Sequence, residues 1–229
     1  MTVHVERLAA QKTLQPWTWL AVGFTLAFTI PYVFADQLAM QRDAYYAVYV
    51  IAVTTLFGSW LRRQADPRAI LLRRWRWGVG LAALATPLMV LGVLRAEDAS
   101  PRPDALELGL AIFWRGIVYG AADGLLLSVF PILVVYAALE PGRRRVLGKI
   151  GVGLAALAAS VVMTSVYHVG YAEFRDETLR SPVGGNVLPS STTLLTASPL
   201  AAPLVHAAMH VTAVVHSYET DLFLPPHEN

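Results

Sequence analysis

An all-α bundle of about six membrane-crossing helices is the fold this sequence predicts, and three observations predict it. The chain of 229 residues is 55% hydrophobic and only 15% charged, where a soluble domain would carry about 25% charged residues. Its mean hydropathy is +0.50. The charges gather in short clusters between long uncharged runs, each near the ~20 residues that one crossing requires. No interval between the runs is long enough for a second domain. A single transmembrane domain over 17–217 is therefore expected, between an N-terminal segment 1–16 and a tail 218–229.

The first run, Trp17 to Ala35, carries Pro31 near its far end. It is longer than the roughly 7–15 residues of a signal-peptide core, which points to a retained anchor. The second, Ala44 to Leu61, opens with Tyr45, Tyr46 and Tyr49, as an interfacial aromatic belt would. A basic connector follows, with Arg62, Arg63, Arg68, Arg73, Arg74 and Arg76. The third run is Trp77 to Leu94, with Pro87 as its kink.

The stretch 105–139 is about twice the length of one crossing, yet too short for two crossings and a turn. Arg143, Arg144, Arg145 and Lys149 follow it. Positively charged loops lie on the cytoplasmic side, so if both basic connectors share that side, the stretch crosses once. An interfacial helix over about 105–114, leading into a span over 115–139 bent near Pro131, satisfies this. The fifth span covers 146–167. The segment 170–198, with Glu173, Arg175, Glu177 and Arg180 and then Gly184-Gly185-Asn186, reads as an irregular roof too polar to cross. Ser198-Pro199 is a good helix start, and the sixth span runs over 199–217. Both termini are then cytoplasmic, and the first, third and fifth connectors face outward.

Composition excludes several function classes. The chain has no cysteine, which rules out disulfides, thiolate nucleophiles and cysteine-based zinc sites. The net charge of +2 comes with Arg residues at helix ends, where topology accounts for them. Nucleic-acid binding finds no support, and the expected partner is the lipid bilayer.

Ionisable residues inside spans are costly and therefore functional candidates. They are Arg115, Asp123, His168, His206 and His210. Arg115, Tyr119 and Asp123 fall at i, i+4 and i+8 on one helix face. His206 and His210 stand one turn apart in an otherwise apolar run. That pair suits a bidentate metal grip or a proton relay, with Asp123 as a third ligand to a divalent metal such as zinc. Each candidate also has a plainer reading: Arg115 snorkelling to headgroups, Asp123 as a satisfied buried carboxylate, His168 as an interfacial side chain, and His206 and His210 as core-packing residues. A serine nucleophile at Ser190 or Ser191 is weaker, since Ser/Thr clusters usually belong to loops.

Trp114-Arg115-Gly116, then His168 at the end of a span, then His206-Ala-Ala-Met-His210 resemble in order and spacing the signature segments of the CPBP family. These are intramembrane proteases related to CAAX prenyl endopeptidases and bacteriocin-processing enzymes. The resemblance implies a helical intramembrane peptidase in a bacterial plasma membrane acting on a membrane peptide or protein. It further implies that His168 and His206 orient or activate water, and that Arg115 steadies oxyanion charge. The family's Glu-Glu pair, thought to activate the attacking water, falls on Leu110 and Ala111, which cannot ionise. Three expectations follow: a hydrolase in which Asp123 and the histidines carry the chemistry, a non-catalytic protein of the same fold that binds a lipid or protein partner, or a metal- or proton-handling membrane protein.

Overall fold

A computed structural model describes residues 2–175, 177–220 and 222–225, with side chains from Gln15 onward. The chain is 82% helical, and among the described residues there is no strand. Five helices are long and apolar enough to cross a membrane. This is an integral membrane protein, and the predicted all-α transmembrane class holds.

Helix α1 spans Thr2–Ile30 and passes at Pro31 into a π-helical stretch, Pro31–Gln37. The segment 1–16 expected ahead of the first span is thus, from Thr2, an extension of the same helix. Helix α2 covers Arg42–Arg62, α3 is the short Pro67–Leu71, and α4 covers Trp75–Ala96. Asp66 caps α3, its carboxylate accepting from the Ala69 N–H.

Helix α5 is one uninterrupted element, Ala105–Leu139. The interfacial helix expected over 105–114 is the first part of this helix and not a separate piece. Asp104 caps it by accepting from the N–H groups of Leu106 and Glu107. Two π stretches, Ile112–Tyr119 and Leu125–Val129, interrupt its α geometry. The second precedes Pro131, which has no N–H to offer the Leu127 carbonyl one turn back. The hydroxyl of Ser160 donates to that carbonyl instead, at 2.7 Å. Helix α5 is also the central helix: 72% of its membrane-length window is buried, against 22% to 44% for the other four.

Helix α6 spans Val146–Val169. The roof expected over 170–198 is in fact mostly a helix, α7, Arg180–Thr196. Its polar residues Asn186, Ser190 and Thr193 are buried while Leu195 is exposed. Polarity inside a membrane bundle faces inward, which is why a segment too polar for lipid still packs within it. Helix α8, Ala201–His216, completes the bundle. Its start falls a little later than Ser198-Pro199, although the Ser198 hydroxyl does accept from the Leu200 N–H.

The added helix reverses the direction of α8. Ser198 lies against Gly78, at the end of the bundle that carries the Arg-rich connectors. At the other end the His216 carbonyl accepts from the Ser100 N–H at 3.1 Å, and the His216 ring meets the Glu97 carbonyl at 3.1 Å. The segment after α8 therefore lies at the acidic end, opposite the Arg-rich connectors and the start of α1, where Arg63 covers the Trp19 ring. The sequence places both termini on one side; this geometry sets the first span's beginning and the segment after α8 at opposite ends of the bundle.

Candidate functional site

Three glycines of α5 set the site. Gly116, Gly120 and Gly124 recur every fourth residue, and α8 runs along the face they leave bare. A Cβ at these positions would fall within 3.1 Å of the Cα atoms of Val211, Ala207 and Pro203 respectively. Small residues at such spacing let two membrane helices approach backbone to backbone. The approach brings His206 and His210 onto Asp123.

Asp123 is 5% exposed, His206 3% and His210 2%. One Asp123 oxygen, Oδ1, accepts from the Tyr49 hydroxyl at 2.9 Å. The other, Oδ2, lies 3.2 Å from His206 Nδ1 and accepts a hydrogen bond from His210 Nε2 at 3.4 Å. The 3.2 Å approach makes no hydrogen bond, and His206 Nδ1 is buried. One ligand atom from each of the three residues lies within 4.8 Å of the other two.

The opposite edge of His206 is held by α7. Its Nε2 is 2.9 Å from the Asn186 Oδ1. Asn186 belongs to a buried lattice with Ser128 of α5, Ser160 and Thr164 of α6, and Ser190 of α7. His168 is 7% exposed, and its Nδ1 is 2.8 Å from the Thr164 carbonyl. A carbonyl only accepts, so Nδ1 carries the proton and Nε2 keeps its lone pair.

Asp123, His168, His206 and His210 line one cavity of about 190 Å³, together with Tyr119 and Asn186. Its remaining wall is mostly apolar, from Met89, Val93 and Met209, and Gly92, Ala96, Ser181 and Gly185 at its edge are exposed between α4 and α7. Behind the cavity runs a chain of buried hydroxyls, Tyr119–Tyr167–Tyr171–Tyr45, at 2.8, 2.6 and 2.6 Å. These tyrosines are no interfacial belt: Tyr45, Tyr46 and Tyr49 are all 0% exposed.

Arg115 is not among the residues lining this cavity. It makes a two-point pair with Asp43, at 2.9 and 2.7 Å, and lies over the Tyr218 ring at 5.2 Å. The π turns over Ile112–Tyr119 explain the departure, because a wider turn breaks the i, i+4 alignment that would put Arg115 above Tyr119. Leu110 and Ala111 share a shallow surface pocket with Arg115, Asp43 and Glu107, about 18 Å along the helix from Asp123. Of the predicted site residues, the structure gathers Asp123, His168, His206 and His210 and leaves Arg115 apart. Sequence reasoning missed Tyr49, Asn186 and the serine lattice; the Gly116-Gly120-Gly124 spacing was a readable signal for the helix contact.

The fold and site together define an integral membrane protein with a carboxylate–imidazole centre buried in its bundle. Comparison with protein-family models, with curated proteins and with solved structures found no match to this chain.

Proposed function

We propose that this protein is an intramembrane hydrolase, a divergent relative of the CPBP peptidases in which Asp123 and three histidines carry the chemistry at a different place from the missing glutamate pair. The observation that carries the reading is the convergence of Asp123, His168, His206 and His210 on one cavity within the bundle. A carboxylate and three imidazoles are expensive to hold in a membrane unless they serve a reaction or a ligand.

In this reading a water held between Asp123 and the histidines attacks a carbonyl carbon of the substrate. His168 Nε2 takes the proton of that water and passes it to the leaving nitrogen as the C–N bond breaks. Asp123, His206 and His210 would hold a cation, and a cation there would supply stabilisation of the negative charge on the carbonyl oxygen. The apolar walls and the exposed edge between α4 and α7 suit a substrate that arrives from the bilayer as a membrane peptide. If the Arg-rich connectors are cytoplasmic, the centre lies in the outward half of the membrane.

The test uses the protein in proteoliposomes with a panel of single-span peptides, read by mass spectrometry. Wild type cleaves at least one peptide and His206→Ala cleaves none while remaining folded and helical at the assay temperature. Undiminished cleavage by His206→Ala would sink the reading.

A second reading, proton handling, is favoured by one observation, the unbroken tyrosine chain that starts at the cavity-lining Tyr119. It expects Tyr167→Phe to abolish pH equilibration across the vesicle membrane, whereas the hydrolase reading expects no such flux in wild type.

A further inference from the structure

The hydrogen bonds around His206 decide which of its nitrogens carries the proton. Thr164 Oγ1 donates its only proton to the Ser160 carbonyl, 3.0 Å away. Toward Asn186 it can therefore only accept, so the amide presents Nδ2 to Thr164. The Asn186 Oδ1 is left facing His206 and also accepts from Ser128 at 3.0 Å. An amide oxygen cannot donate. The Nε2 of His206 is thus the protonated nitrogen, and in the neutral ring Nδ1 bears a bare lone pair.

That lone pair faces Asp123 Oδ2 across 3.2 Å with no hydrogen bond between them. Two buried acceptors at that distance repel, and a proton or a metal cation between them removes the repulsion. Two of the three separations are close to those of a metal centre, and the third is within 4.8 Å: ligands at about 2.0–2.1 Å from a tetrahedral zinc-class ion lie about 3.3–3.4 Å from one another. The Oδ2–Nδ1 and Oδ2–Nε2 distances are 3.2 and 3.4 Å. Two imidazoles and a carboxylate are a zinc-hydrolase ligand set, with the fourth position left for water.

We propose that Asp123, His206 and His210 bind a tetrahedral divalent cation of the zinc class, and that Asn186 is the positioning residue that makes Nδ1 of His206 a ligand by holding Nε2–H. This deepens the hydrolase reading by naming its cofactor and rests on it for the role of the ion, but not for the binding. Helix α7 is then the element that tunes the centre from outside its ligands. Such outer partners fix the tautomer of a ligating histidine and typically account for 10–100-fold in metal affinity.

The full chain, purified in detergent and stripped with a chelator, is titrated with Zn²⁺ and with Co²⁺, whose visible absorption reports tetrahedral coordination. Wild type takes up one ion per chain with a tetrahedral cobalt spectrum, and His206→Ala loses it. Asn186→Leu, which cannot accept from Nε2–H, binds 10–100-fold more weakly. Thr164→Val removes the acceptor that orients the amide and weakens binding in the same direction, which keeps the test open should Asn186→Leu fail to fold. Absence of stoichiometric metal in wild type overturns the centre. Wild-type affinity in both Asn186→Leu and Thr164→Val overturns the role of Asn186. Metal binding without peptide cleavage leaves this inference standing and counts against hydrolysis; cleavage by the metal-free protein does the reverse.

Discussion

Gly120 of α5 stands so close to α8 that a Cβ there would fall 2.9 Å from the Cα of Ala207 and 3.1 Å from the His206 carbonyl oxygen. Both near atoms are backbone, so a side chain is accommodated only by moving the helix that carries the two histidines. Gly120→Val should cost about 1–3 kcal/mol of stability and separate His206 and His210 from Asp123, with loss of turnover. Thermal unfolding in detergent, paired with the peptide assay, checks both. A stable and fully active Gly120→Val would show that close approach of α5 and α8 does not hold the centre.

Tyr49 donates to an oxygen of the buried Asp123 carboxylate. Removing one hydrogen bond to a buried charged group costs about 1.5–3 kcal/mol. Tyr49→Phe should therefore unfold at lower denaturant concentration by that amount. An unchanged midpoint would mean that Oδ1 of Asp123 is held by something else.

Ser160 answers the carbonyl that Pro131 leaves open on α5. Ser160→Ala removes the donor and strands a buried acceptor, at a cost of about 1–3 kcal/mol. Ser160→Ala combined with Pro131→Ala restores an N–H to the Leu127 carbonyl, so the double variant should recover part of the loss. A double-mutant cycle measures the coupling, and strict additivity would refute it.

Arg115 and Asp43 form a pair whose arginine side chain is 10% exposed and whose aspartate is 37% exposed. The partial exposure limits its worth, so Arg115→Met should cost about 1–2 kcal/mol of stability. It should leave metal affinity at the Asp123 centre unchanged, because Arg115 does not line that cavity. A large loss of metal affinity in a folded Arg115→Met protein would contradict the separation of the two sites.

The two ends of the bundle are open to direct test because the chain has no cysteine of its own. Arg68 and Glu219 are both exposed, one in the Arg-rich connector and one after α8. A membrane-impermeant maleimide should label Arg68→Cys and Glu219→Cys from opposite faces of the membrane. Labelling from the same face would restore the six-span topology that the sequence suggests.

The contrast between α8 and α7 shows what the sequence could and could not disclose. His206 and His210 were legible because two imidazoles one turn apart in an apolar run have few plain explanations, and Asp123 because a lone carboxylate at that depth is costly. Helix α7 was hidden because its polar residues were read as facing solvent. Asn186 was lost with it, as was the direction of α8, since one unrecognised helix inverts everything after it. The failure at Arg115 has a different origin: the sequence carries no mark of the π turns that rotate it off the Tyr119–Asp123 stripe. The tyrosines of α2 match an interfacial belt in composition, and only the packing of α5 and α6 against them reveals a buried chain.

The central claim is that the buried Asp123–His206–His210 centre hydrolyses a bond within the membrane. Cleaving a reconstituted peptide substrate in water enriched in ¹⁸O and weighing the products tests it most directly. Expected are one ¹⁸O in each new carboxyl terminus with wild type, and no product with Asp123→Asn or His206→Ala in samples that remain folded at the assay temperature. Product formed equally by the variants, or no product from wild type across the peptide panel, would contradict it.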